Sequence, residues 1–183
     1  MKRFVIAIGL VVLVFAVFAW TQTPAPKPGP DHQKVRIFAG HWTYEGEYKP
    51  GPWGPGGKVS GEYTAQPILG GFFIQGHWTE KGPLGETRGV EIFGYNPATN
   101  SYLQSQYTDD GGIAAGSITV NGNTWDYTGT IFLAGKRYGL RITMTFAGDL
   151  MSMVTKGELS ADGNSWTPFM DFTFTKVKAT PKK

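Results

Sequence analysis

From about residue 41 to residue 177 the chain is a run of short segments with a hydrophobic period of two. They read at about 41–48, 58–66, 72–80, 88–95, 101–108, 113–120, 124–132, 137–147, 150–159 and 166–177. Strong turn chemistry separates many of them: Asn96-Pro97-Ala98-Thr99-Asn100, Asp109-Asp110-Gly111-Gly112, Asn121-Gly122-Asn123 and Asp162-Gly163-Asn164. No gap has room for a crossover helix, so consecutive strands pair antiparallel. A meander of this length leaves long exposed edges unless the sheet closes. The pattern therefore predicts an all-β fold, an antiparallel up-and-down barrel of about 8–10 strands. A short helical or 3₁₀ turn ending at Gly40 opens it.

Alternation assigns the faces. Trp42, Tyr44 and Tyr48 share a face with Gly46, while His41, Thr43, Glu45 and Glu47 oppose them. Phe72, Ile74 and Trp78 align with Gly76, against Gln75, His77 and Thr79. Tyr138, Leu140, Ile142, Met144 and Phe146 oppose Arg137, Arg141, Thr143 and Thr145, and Met170, Phe172 and Phe174 oppose Asp171, Thr173 and Thr175. Trp125 and Tyr127 join the inward set. Rings of this kind bury on the order of 150–250 Å² each, and a barrel of about eight strands is just wide enough to be filled or to hold one small ligand. The expected cavity is modest and apolar.

Composition narrows the function classes. The 183 residues contain no cysteine, which excludes disulfides, thiolate metal sites, cysteine nucleophiles and lipid attachment at a lipobox. The formal charge of +3 leans on Lys2 and Arg3; without them 15 basic residues face 14 acidic ones. No basic stripe follows, so nucleic acid is not an expected partner.

Those two charges begin "MKRFVIAIGLVVLVFAVFAW", the pattern of a secretory signal peptide over residues 1–19 with a cut after Ala19. The alternative is an uncleaved anchor over residues 4–20, at the short edge of spanning length. Both place the domain outside the cytoplasmic membrane, periplasmic or secreted in the first case, and membrane contact is expected only through this segment. Residues 20–34 read as a proline-rich linker, 35–177 as the barrel domain and 178–183 as a basic tail.

Gly-His-Trp occurs twice, at 40–42 and 76–78, and holds two of the three histidines. A metal or haem site is the sharp reading. Alternation opposes it, because both histidines fall on the face opposite the tryptophans and His32 lies in the linker. No metal and no cofactor is expected. Asp109-Asp110-Gly111-Gly112 lacks the ligand spacing of a calcium loop and reads as a hairpin turn. Asp126, Glu158 and Asp171 are the candidates for acid/base work, and alternation turns Asp126 and Asp171 outward. Trp53, in the long "KPGPWGPGGK" connection, is either a lid over the barrel mouth or a ring packed on its rim. Nucleophile-elbow, zincin, P-loop and dinucleotide motifs are missing, so no catalytic residue is assigned.

"FAGHW", "ILGGFF", "GVEIFGYNPATNSYLQSQYTDDGG" and "FMDFTFTKV", taken in order, resemble the bacterial family called domain of unknown function 1579 over about residues 35–177. The resemblance implies a calycin-like barrel, related in shape to lipocalins, with no established activity. Gly40-His41-Trp42 is similar to the Gly-x-Trp signature that opens lipocalin barrels. It implies that Trp42 closes one end, with Lys176 in place of the usual covering arginine. The family more often has an arginine where this chain has Phe72. Related nitrobindin barrels bind haem through a histidine.

Together these readings favour an exported barrel that binds a small apolar molecule without catalysis. Tyr44, Trp53, Trp78, Tyr138, Met144, Met153 and Phe172 are the expected ligand-binding residues, and Gly40, Trp42 and Lys176 the closure. An acid/base enzyme working in the cavity, of isomerase or cyclase type, and a filled interaction domain are the alternatives.

Overall fold

The computed structural model describes residues 25–178. The segment expected to be a leader, with its expected cut after Ala19, lies outside them. Ten antiparallel strands follow one another: β1 (Gly40–Tyr48), β2 (Gly57–Ile68), β3 (Phe73–Gly82), β4 (Gly85–Asn96), β5 (Ser101–Thr108), β6 (Ile113–Asn121), β7 (Thr124–Leu133), β8 (Lys136–Phe146), β9 (Ser152–Ser160) and β10 (Thr167–Lys176). Each pairs with its neighbours in sequence, and β1 pairs with β10 from Trp42↔Lys176 to Tyr48↔Met170, so the sheet closes. Closure removes both edges, the reason ten short strands are stable together.

A short helix, α1 (Pro30–Lys34), and a 3₁₀ turn (Val35–Phe38) precede β1. The proline-rich stretch is thus helical from Pro30 onward, where an extended linker was expected. Pro30 occupies the first helical turn, which needs no N–H from it. His32 is packed edge-on against Phe72 and Tyr95, with ring centroids 4.9 and 5.3 Å away. Phe72 itself caps the Leu69–Gly71 turn outside β3, so its contact is with α1.

The 3₁₀ turn plugs one end of the barrel. Val35 and Phe38 are buried, and the Phe38 ring stacks on Phe93 at 4.1 Å and meets Trp125 and Phe146 edge-on. Trp42 Nε1 donates to the Phe38 carbonyl at 3.0 Å. On the other side of Trp42, Lys176 Nζ lies 4.8 Å from the indole centroid, a cation–π contact. Gly40 has φ +124°, open to glycine, and a side chain there would strike the Lys176 stem.

Candidate binding site in the barrel lumen

Beyond the plug the lumen is hollow. An inner chamber of about 130 Å³ is lined by Tyr44, Tyr63, Trp78, Met144, Met153 and Phe172, among others. A mouth of about 440 Å³ lies under Trp53, Pro55, Leu84 and Phe132. Tyr48, Trp78, Glu80, Gln106, Ile142 and Met170 line both, so the two volumes meet at a neck.

Glycines make the space. Tyr44 lies across Gly61, Tyr63 across Gly76, Trp78 across Gly89 and Tyr127 against Gly116 and Gly129, and a Cβ on any of these glycines would enter the ring beside it. The strand registers Tyr44↔Gly61 and Trp78↔Gly89 set these pairs directly opposite one another. Large rings are thereby laid against the wall instead of filling the centre.

The lumen is not purely apolar, which corrects the expectation from composition. Glu80 on β3 is buried at the neck, where its Oε2 accepts hydrogen bonds from the hydroxyls of Tyr44 at 3.2 Å and Tyr48 at 3.3 Å. Glu91 on β4 faces the inner chamber, and its Oε2 accepts from Gln104 Nε2 at 2.9 Å. Burial pushes the Glu91 carboxyl up to about 7 against the opposing pull of Tyr63 and Gln104. Burial also raises Glu80, with the two tyrosine hydroxyls again opposing it. In turn, Tyr44, Tyr48 and Tyr63 are held above the ordinary phenol range, first by burial and then by these carboxylates.

Two buried polar atoms of this chamber meet no hydrogen-bond partner among the described residues: Gln104 Oε1 and Thr155 Oγ1. An orphan of this kind costs about 1–3 kcal/mol unless something in the cavity satisfies it.

Neither carboxylate was anticipated. On β4 the alternation is blurred, because Val90 and Ile92 cover the outer face while Glu91 aligns with buried Phe93. On β5, Leu103 and Tyr107 stand outside while Tyr102, Gln104 and Gln106 face in. The readable signal for Glu80 was its period-two alignment with Ile74, Gly76 and Trp78.

Of the residues expected to bind ligand, Tyr44, Trp78, Met144, Met153 and Phe172 come together around the inner chamber. Trp53 roofs the mouth: its Nε1 donates to Lys49 O at 3.0 Å, and its ring meets Tyr138 and Phe169 edge-on. Tyr138 is buried beneath Trp53 and lines neither volume, a departure from the expected role. His41 and His77 are exposed on the outer wall, His41 beside Glu62 at 3.5 Å, so no histidine lines the lumen. Asp126 and Glu158 are exposed and Asp171 faces Lys156 at 3.9 Å on the outside, so these three form no acid/base pair. Asp110 accepts hydrogen bonds from Thr108 Oγ1 and the Gly112 N–H, the geometry of a turn. Among the described residues no group of three or more histidines and carboxylates is placed to hold a metal ion.

The model of a family described as a protein of unknown function (DUF1579) matches residues 27–176. The crystal structure of Rv2717c from M. tuberculosis is similar in fold, with TM-score 0.61 and 13% identity over 82% of this chain and 99% of that one. The S-type phycobiliprotein lyase CPES from Guillardia theta is similar too, with TM-score 0.55 and 8% identity over 82% and 94%. At these identities the likeness concerns the fold alone, a closed antiparallel barrel. No curated protein matches the chain.

Proposed function

Because the chain belongs to the family of unknown function DUF1579, which brings a fold and no assigned chemistry, we propose its function from the lumen: an exported barrel that binds a small, largely apolar molecule without transforming it. The continuous space behind Trp53 is the observation that carries this reading. Its mouth volume falls in the range typical of ligand sites, about 300–1,000 Å³. The walls of the inner chamber are mostly rings and methionines, and methionine side chains adapt to irregular apolar shapes. The leader supports export.

Binding of a neutral environment-sensitive dye, prodan, tests the reading. Wild-type protein should give a saturable rise and blue shift in emission, weakened tenfold or more by filling the mouth with Ala114→Phe or Thr87→Phe. A folded wild-type protein, shown by circular dichroism, that gives no saturable signal would overturn it.

An acid/base enzyme is a second reading, favoured by the two lumenal carboxyls raised toward neutrality. It requires turnover of a bound compound that Glu91→Gln abolishes.

A further inference from the structure

The lumen has a one-sided polarity. Two carboxylates, Glu80 and Glu91, line it, and Asp110 stands at the mouth, yet among the described residues no lysine, arginine or histidine lines either volume. A barrel built for a fatty acid or another organic anion would need a cation or a set of free N–H donors at the seat of the charged group. Here the arrangement is the reverse. Gln104 turns its Nε2 donor to the Glu91 carboxylate, as an amide must, and so leaves Oε1 as a bare acceptor. That oxygen belongs to a residue only 8% exposed, and Thr155 Oγ1, on a residue 5% exposed, is equally unpartnered around the same chamber. Among the described residues Glu80 Oε1 accepts no hydrogen bond, both tyrosine hydroxyls having gone to Oε2.

We propose that the lumen takes a small lipophilic amine, bound as its ammonium at Glu91 and Gln104 in the inner chamber, with Glu80 as a second carboxylate at the neck. The inference rests on the binding reading above and names its ligand class. An ammonium brings three N–H donors and one positive charge. It would meet the two things the chamber lacks, a partner for the orphaned acceptor and a counter-charge for buried carboxylates. The rings of Tyr44, Trp78, Phe172 and Phe174 border the same space and offer apolar contact and cation–π faces.

Protonation follows from the same geometry. The groups that face Glu91 are Tyr63 from β2, Tyr44 from β1 and the amide of Gln104 from β5; Glu80 from β3 lines the same chamber and faces Tyr44 and Tyr48. None is basic. An alkyl ammonium keeps its proton to about pH 10, so across pH 5.5–8 the group that changes is Glu91, pushed up to about 7 by burial. Loss of the Glu91 charge at low pH should therefore loosen the amine and leave a neutral analogue alone.

The experiment compares 2-phenylethylamine, 2-phenylethanol and phenylacetate on the full mature chain by calorimetry and tryptophan fluorescence. At pH 8 the amine should bind at least tenfold tighter than the alcohol, and phenylacetate more weakly than both. The amine-to-alcohol ratio should shrink toward one at pH 5.5 and should fall to within about twofold of one in Glu91→Gln. In that variant the new amide oxygen can still accept from Gln104, and circular dichroism checks the fold. Glu80→Gln should lower the ratio partway and keeps the test open if the first variant is unstable. Equal affinities for amine and alcohol in a wild-type protein that binds prodan would overturn the amine inference and leave the binding reading standing. A preference that survives in both variants would also overturn it. Failure of prodan and of all three compounds would overturn both.

Discussion

Trp78 lies flat across Gly89, and the hollow at the neck depends on it. A methyl group at residue 89 would sit inside the indole and drive the ring toward the lumen. Gly89→Ala should cost about 1–3 kcal/mol, the usual range for overpacking. It should also shift tryptophan emission and weaken dye binding; unchanged urea unfolding and emission would contradict the packing of Trp78 on Gly89. Glu91 makes a second prediction at this scale. Its carboxyl is raised from 4.5 to about 7, so between those values the folded protein holds a proton that the unfolded chain releases. Stability therefore falls as pH rises from about 4.5 to 7, on the order of 3 kcal/mol by linkage, and levels off above. Glu80 adds in the same direction. Urea unfolding across pH 4.5–8 should show this slope in wild-type protein and a flatter one in Glu91→Gln. In the sequence, Tyr44, Trp78, Met144 and Phe172 could be placed inside because their strands alternate cleanly. Glu91 could not, because Val90 and Ile92 make both faces of β4 look apolar, and a hydrogen bond to a side chain thirteen residues away leaves no local trace.

At the level of elements, the 3₁₀ turn and β1 form one closing device. Phe38 enters the barrel end between Phe93, Trp125 and Phe146, while its carbonyl holds Trp42 in place. Phe38→Ala should destabilise the domain by about 3–5 kcal/mol, the range for a large buried ring replaced by a cavity, measured as a lowered urea midpoint. A loss below about 1 kcal/mol would mean that the turn rests on the barrel without plugging it. The strands and the turn before Gly40 were legible because hairpin chemistry and period-two patterning are local signals. The helix Pro30–Lys34 was not, since five residues carry no periodicity. Its support is tertiary: His32 against Phe72 and Tyr95, and the Tyr102 hydroxyl donating to Asp31 at 3.2 Å. The sheet register that brings β3, β4 and β5 side by side, and with it the polar sector of Glu80, Glu91 and Gln104, was likewise beyond reach of face assignment strand by strand.

The whole barrel has two unlike ends. The plug, the Trp42–Lys176 stack, the start of β1 and the end of β10 all belong to the closed end. Trp53, Leu84 and Phe132 ring the opposite mouth. Polypeptide leading into the domain thus arrives at the closed end, and this orients the two readings of the leader. If residues 4–20 stay in the membrane, the tether attaches at the plugged end and leaves the mouth free to face outward. If the leader is removed, the mouth is free in any orientation. The leader pattern favours removal, with two basic residues, an apolar run and Val17-Phe18-Ala19 before the cut. Intact-mass measurement of protein expressed from its full reading frame in a bacterial host with a working export pathway should find a chain beginning at Trp20. Osmotic shock should release it with the periplasmic fraction. A full-length mass in the membrane fraction would establish the anchored form instead. In that case a thiol-reactive label on Leu84→Cys at the mouth should react freely in intact spheroplasts, because the tether would hold the opposite end of the barrel to the lipid.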